Sequence, residues 1–204
     1  MATDAAVLAR SYPAYLFDLD GTLVDSAPDI NGALNVALER AGYPPVDEDS
    51  TRNWVGYGSR VLLEQALKHH GAETLIADAP TMARLVKTFI DHYSAHIADK
   101  SHPYDGVVDA LYGLKQRGAR LAIVTNKLGI LSRQLLEALR LDEFFDALVC
   151  GDTLPQRKPD AEPARHACRM LNTAQNDALF VGDSITDVET ARAAGCPIVC
   201  VRAG

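Results

Sequence analysis

Five short apolar runs punctuate this chain: AYLF (Ala14 to Phe17), RLAIV (Arg120 to Val124), ALVC (Ala147 to Cys150), ALFV (Ala178 to Val181) and PIVCV (Pro197 to Val201). Each has the length of a buried strand and is too short for a buried helix. Between the later runs lie amphipathic segments, DGVVDALYGLKQRG, GILSRQLLEALR and DVETARAAG, whose apolar residues recur at three and four. Two of them stop at Gly118 and Gly195, as helices commonly do. This alternation predicts an α/β fold, a doubly wound (Rossmann-like) parallel sheet with covering helices.

One interval breaks the rhythm. Between the first run and the second, about a hundred residues apart, there is no further strand candidate, but PDINGALNVALERAG, SRVLLEQALKHHG and PTMARLVKTFIDHYSAHIA all read as helical. A single crossover does not need so much chain. The expected organisation is therefore an α/β core of residues 1–27 and 101–204, with an all-helical cap of residues 28–100 inserted after the first strand. The insertion leaves after Asp25 and returns near Pro103 and Tyr104, over the sheet edge that carries the polar segments.

Polar segments follow the strands. FDLDGTLVDS (Phe17 to Ser26) places Asp18 and Asp20 two apart where a strand ends, with Gly21 allowing a tight turn. A bare Asp-x-Asp-Gly also serves simply to close a strand, but the apolar lead-in and the TLVDS that follows set this one apart. One carboxylate of such a pair can attack phosphorus to give an aspartyl-phosphate, while the second protonates the leaving oxygen and then activates water. In VGDSITD, Asp183 lies just past ALFV and Asp187 follows four residues later at the opening of a helix. That spacing places both on one helical face, although acids at a helix start also serve capping alone. VTNK offers Thr125 and Asn126 to phosphate oxygens, and QRKPD offers Lys158 as a neutralising point charge.

Four carboxylates and a phosphate cannot share a pocket uncompensated, so a divalent cation is expected. All-oxygen donors suit Mg²⁺. The expected ligands are Asp18, Asp183 and the main-chain carbonyl of Asp20, with Asp187 placing the ion or its waters.

The order Asp-x-Asp, Thr, Lys, Gly-Asp-x-x-x-Asp along nearly the whole chain resembles the haloacid-dehalogenase superfamily of phosphohydrolases. The resemblance implies Asp18 as nucleophile, Asp20 as general acid/base, Thr125 and Lys158 as phosphate-binding catalytic residues, and Asp183 and Asp187 as magnesium acids. A closer likeness is to the phosphoglycolate phosphatases, carried by LFDLDGTLVDSAPDI, WVGYGSRVLLEQAL and CGDTLPQRKPDAEP. It implies hydrolysis of 2-phosphoglycolate to glycolate and phosphate, with Gly56, Gly58 and Arg60 facing the substrate and Arg60 pairing with its carboxylate. A broad sugar-phosphate phosphatase and a phosphomutase use the same acids and stand as alternatives. A receiver-type phospho-acceptor orders its Asp, Thr and Lys differently. Relatives of this kind usually continue through a short segment where this chain ends, at Gly204.

Composition bounds the partners. With 204 residues, 48% hydrophobic and 23% charged, there is enough chain for one core plus an insertion. A formal net charge of -7 argues against nucleic acid and anionic membrane and for a small phosphorylated metabolite. Without a leader or a long apolar stretch the protein is expected in the cytoplasm, as a monomer or homodimer. Cys150, Cys168, Cys196 and Cys200 form no CxxC pair and are read as reduced thiols filling apolar space. The pairs His69/His70 and His92/His96 are read as solvated faces, Trp54 as a packing anchor, and Arg40, Asp47, Glu48 and Asp49 as exposed loop.

Overall fold

The computed structural model describes residues 10–202. Five parallel strands form the sheet: β1 (Ala14–Phe17), β4 (Arg120–Val124), β5 (Ala147–Val149), β6 (Ala178–Gly182) and β7 (Ile198–Cys200), in the order β5-β4-β1-β6-β7. Leu16 of β1 registers with Ala122 on one side and with Phe180 on the other. Side chains alternate between two buried faces. Ala14, Leu16, Ala122, Val124 and Phe180 pack on one face with Ala164 and Ala167 of α8 (Glu162–Met170) and Ala191 of α9 (Ile185–Ala194). Phe17, Leu121 and Ile123 pack on the other with Leu111 of α6 (Val107–Gln116) and Leu135 of α7 (Gly129–Ala138). Burial on both faces is why the strands read as unbroken apolar runs.

From β1 the chain moves outward through β4 to β5, then crosses back to β6 beside β1. The carboxyl ends of β4, β1 and β6 therefore flank the point where the strand order reverses, the crevice where open α/β sheets bind ligands. Each of the three carries a polar segment onto that edge.

Two strands were not expected. β2 (Val24–Asp25) and β3 (His102–Pro103) pair antiparallel, Val24 opposite Pro103 and Asp25 opposite His102. Two residues carry no periodicity, so pattern reading passes over them. Between β2 and β3 lie five helices: α1 (Ala27–Arg40), α2 (Glu48–Trp54), α3 (Ser59–His69), α4 (Glu73–Ala77) and α5 (Ala79–Ala95). They have their own core, with Leu34, Leu38, Leu63, Leu67, Met82, Phe89 and Tyr93 in one cluster. The two ends of this helical segment are tied together by Asp29, whose Oδ2 accepts from Ser101 N and Ser101 Oγ, each at 2.7 Å, and from Lys100 N at 2.9 Å. Arg52 of α2 reaches down to Asp25 of β2 in a two-pronged ion pair, 2.8 and 2.9 Å.

Smaller expectations also shift. Arg40, Glu48 and Asp49 are not loop: Arg40 ends α1, Glu48 and Asp49 open α2, and Asp47 caps α2, accepting from Ser50 N at 2.6 Å. Trp54 anchors packing as expected, half-buried with its ring 5.6 Å from that of His69. The rings of His92 and His96 lie 4.4 Å apart, and His96 pairs with Asp99. Cys150, Cys168 and Cys196 are buried, but Cys200 is exposed because β7 is the sheet edge. No helix among the described residues is long and apolar enough to cross a membrane.

Candidate active site

The sheet ladder continues one residue past β1, since Asp18 N donates to Val181 O at 3.0 Å. That bond sets the Asp18 carboxyl at the carboxyl edge of the sheet, where it is only 2% exposed. Its Oδ1 lies 2.8 Å from Lys158 Nζ, an ion pair off the alignment of a hydrogen bond, so this oxygen is buried without a hydrogen-bond partner. Lys158 Nζ also donates to Asp187 Oδ1 at 2.6 Å. One ammonium thus sits between two buried carboxylates.

Asp187 is held from behind. Its Oδ2 accepts from Ser184 Oγ at 2.6 Å and from Ser184 N at 3.0 Å, and Ser184 in turn caps α9 by accepting from Asp187 N. This reciprocal capping box explains why the segment after β6 breaks and restarts as a helix there. Gly182 is required by the close approach: a Cβ would stand 2.5 Å from that of Asp187. Asp183 is exposed at the rim, where Thr22 Oγ1 donates to its Oδ1 at 2.5 Å. Gly21, at φ +87°, passes so near that a Cβ there would lie 2.5 Å from Asp183 Oδ2.

Asp18, Asp183 and Asp187 each offer a carboxylate oxygen within 4.8 Å of the others. Burial pushes the Asp18 carboxyl up to about 7; the Lys158 ammonium opposes the rise, and Asp187 and Asp183 add to it. Crowding by protein atoms likewise raises Asp183, against the Thr22 hydrogen bond. For Lys158, burial acts to lower the pKa but is outweighed by Asp18 and Asp187, and the net shift is upward. The cluster holds more negative charge than one lysine balances, and its donors are all hard oxygens within 4.8 Å of one another. A hard divalent cation fits that set.

Between the sheet edge and the helical segment lies a cavity of about 40 Å³. Its floor is Asp18, Asp20, Thr125 and Lys127; its roof includes Val55, Gly56, Leu62, Phe89 and Tyr93. A neighbouring cavity of about 210 Å³ is bounded by Asp20, Gly21, Asp183, Arg52 and Tyr104.

The family model of the haloacid dehalogenase-like hydrolases matches residues 15–201, from β1 to just beyond β7. The chain belongs to that family. Among its relatives, a phosphoglycolate phosphatase of Mesorhizobium japonicum is 43% identical over 95% of this chain and 84% of its own length. Another phosphoglycolate phosphatase, from Caulobacter vibrioides, is 45% identical over 92% of this chain and 78% of its own. The crystal structure of a predicted phosphoglycolate phosphatase from Haemophilus somnus 129PT superposes with a TM-score of 0.84 at 33% identity, covering 93% of this chain and 84% of that one.

Within this haloacid dehalogenase-like hydrolase the residues singled out from sequence do not all converge. Asp18, Asp20, Lys158, Asp183 and Asp187 gather at the edge. Thr125 is buried on the cavity floor, its Oγ1 accepting from Lys127 N at 3.2 Å. Asn126 is adjacent, but its side chain is committed to protein: Oδ1 accepts from Lys158 N at 3.0 Å, while Nδ2 donates to Lys158 O at 3.1 Å and Gly56 O at 3.0 Å. It fixes the backbone of Lys158 and ties the helical segment to the core. Arg60 is not brought in; it is exposed on α3 and pairs with Glu64 at 2.9 Å, outside the cavity lining. Gly56 and Gly58 do line the cavity.

Sequence reasoning missed Lys127, a buried lysine whose Nζ contacts Asp20 Oδ1 and Oδ2 at 2.8 and 3.1 Å and donates to Tyr93 Oη at 2.8 Å. Burial works to lower its pKa, yet Asp20 and Tyr93 outweigh it and the net shift is upward. Ser26, donating to Asp20 Oδ1 at 2.5 Å, was also missed. The only sequence signal for Lys127 was its place at the end of VTNK.

Proposed function

We propose that this chain is a Mg²⁺-dependent phosphoglycolate phosphatase working through an aspartyl-phosphate at Asp18. The observation that carries the reading is the buried chain Asp18–Lys158–Asp187, with Asp183 beside it, beneath a small cavity whose other wall is apolar. Relatives at 43% and 45% identity named phosphoglycolate phosphatase narrow the substrate.

In this reading Asp18, Asp183 and the main-chain carbonyl of Asp20 would hold the ion, with Asp187 placing it or its waters. Bound there, Mg²⁺ supplies charge neutralisation between the attacking carboxylate and the phosphate dianion. A carboxylate oxygen of Asp18 forms a bond to phosphorus as the ester P–O bond breaks, and Asp20 gives its proton to the departing glycolate oxygen. Lys158 offsets charge on the phosphoryl oxygens and Thr125 donates its hydroxyl hydrogen to one of them. Water entering by the larger cavity then loses a proton to Asp20 and attacks phosphorus; the Asp18–phosphorus bond breaks and inorganic phosphate leaves. The helical segment acts as a cap that excludes bulk water from the first step. The enzyme is taken to be cytoplasmic, a monomer or homodimer acting on a small phosphorylated metabolite.

The test is phosphate release from a panel of small phosphate esters, with Mg²⁺ and with a chelator. 2-Phosphoglycolate is expected to stand well above sugar phosphates, and only with Mg²⁺. A flat profile would remove the substrate assignment, and metal-independent turnover would remove the metal.

The raised carboxyl of Asp18 has a thermodynamic consequence. Its ordinary value is 3.8 and its folded value about 7, so between those pH values the folded protein keeps a proton that the unfolded chain has lost. The stability this contributes is full below 3.8 and is lost as pH rises through about 7. In chelator, the melting temperature is therefore expected to fall across that window, and Mg²⁺ is expected to raise it more at about pH 8 than at about pH 5. A Mg²⁺ increment equal at both pH values would contradict this.

A further inference from the structure

With Arg60 turned away, the phosphoglycolate reading needs another partner for the carboxylate of the leaving acid, and the inference here rests on that reading. We propose that the Lys127 ammonium, held in place by Tyr93, is the group that recognises this carboxylate. Lys127 is the one cation among the described residues lining the smaller cavity. The walls around it are mostly apolar, Ile30, Val55, Leu62, Phe89 and Leu131, and the neutral Ser59 hydroxyl among them brings no positive charge to an anion. A carboxylate carried into such a space needs a charged, hydrogen-bonding partner.

Position supplies the second part of the case. Asp20 serves the leaving oxygen, so a group bonded to Asp20 necessarily stands beside that oxygen. In 2-phosphoglycolate the carboxylate is one methylene away from the same oxygen. Lys127 Nζ, at 2.8 Å from Asp20, is therefore placed to reach both.

Tyr93 explains why a flexible lysine is fixed there. Its hydroxyl accepts from Nζ at 2.8 Å, and Nζ lies 4.5 Å from the centre of its ring. The hydroxyl keeps its own hydrogen, which is available to the same carboxylate. Tyr93 belongs to α5 and Lys127 to the loop after β4, so the anchor is complete only with the helical segment seated on the core. Sugar phosphates, which offer neutral hydroxyls at this distance instead of a charge, gain less from the pair.

The experiment compares kcat/KM for 2-phosphoglycolate and for ethyl phosphate, which has the same phosphoester and no carboxylate, in the Mg²⁺-loaded enzyme. Wild type is expected to favour phosphoglycolate strongly. In Lys127→Met the ratio is expected to fall about 10- to 100-fold, mostly through KM for phosphoglycolate, and in Tyr93→Phe by a smaller factor in the same direction. An equal loss on both substrates would show Lys127 merely positioning Asp20 and would overturn the proposal. So would an unchanged ratio, or a ratio that collapses in Arg60→Ala instead. Should Lys127→Met not fold, as its melting curve would show, the ratio in Tyr93→Phe decides alone. A wild-type ratio near one overturns this proposal together with the phosphoglycolate reading; a high wild-type ratio that survives Lys127→Met overturns this proposal only.

Discussion

Asp18→Asn is expected to lose at least about 10⁴-fold in turnover while gaining thermal stability in the metal-free protein. The two effects have one origin. Asp18 is buried with Lys158 as its one cation, and its negative charge is opposed by Asp187 and Asp183 as well as by loss of water. An amide of the same shape removes that charge and with it the capacity to form a bond to phosphorus. Because the folded carboxyl keeps its proton up to about pH 7 whereas the unfolded one loses it near 3.8, the stability gain is small below 3.8, grows as pH rises across that window and levels off above about 7. Melting curves in chelator for wild type and variant, run at several pH values, measure this directly. A gap that stays constant with pH would mean that Asp18 does not carry the charge assigned to it. Such a trade of stability against activity is expected where a reactive group is held against its own preference.

Lys158→Met is expected to fail in the opposite direction on stability. Lys158 Nζ lies 2.8 Å from Asp18 and 2.6 Å from Asp187, both buried. Removing it leaves two carboxylates facing each other without a cation, a situation that costs about 3–5 kcal/mol when one partner of a buried pair is deleted. Turnover is expected to fall by about 10³-fold, as when a positioned charge on a transferring phosphoryl group is lost. Adding Asp18→Asn to Lys158→Met should recover part of the lost stability without recovering activity. Denaturant unfolding of the single and double variants tests this; additive effects would show that the two residues do not interact.

These contrasts also indicate which parts of the molecule can be read from the chain. β1, β4 and β6 are visible because both their faces are buried, leaving unbroken apolar runs. Asp18, Asp183, Asp187 and Lys158 are visible because they follow those strands, and a parallel sheet brings all such ends to one edge. Arg60 and Lys127 could not be told apart in the same way. Whether a residue in the first turn of α3 faces the cavity depends on how that helix is rotated on its neighbours, which GYGSR does not encode. A lone lysine after Thr125 carries no mark of the 2.8 Å contact it makes with Tyr93, 34 residues away. Asn126 looked like a phosphate ligand because its amide is polar and near the edge; its hydrogen bonds are instead spent on Gly56 and Lys158, one of them supplied by a helical segment whose docking is tertiary. β2 and β3, at two residues each, exist only because Asp29 and the β1 turn bring residues 24–25 and 101–103 together.

The central claim is that Asp18 transiently carries the phosphoryl group, and it is tested most directly by trapping that state. An aryl phosphate such as p-nitrophenyl phosphate needs little help from a general acid on departure, whereas hydrolysis of the acyl phosphate still needs Asp20 as base. Asp20→Asn, mixed with Mg²⁺ and p-nitrophenyl phosphate, is therefore predicted to release a burst of one nitrophenolate per active site. Peptide mapping by mass spectrometry should then place an alkali-labile phosphoryl group on Asp18. A phosphoryl group on another residue, or nitrophenolate release with no protein-bound phosphate at any time, would contradict the account.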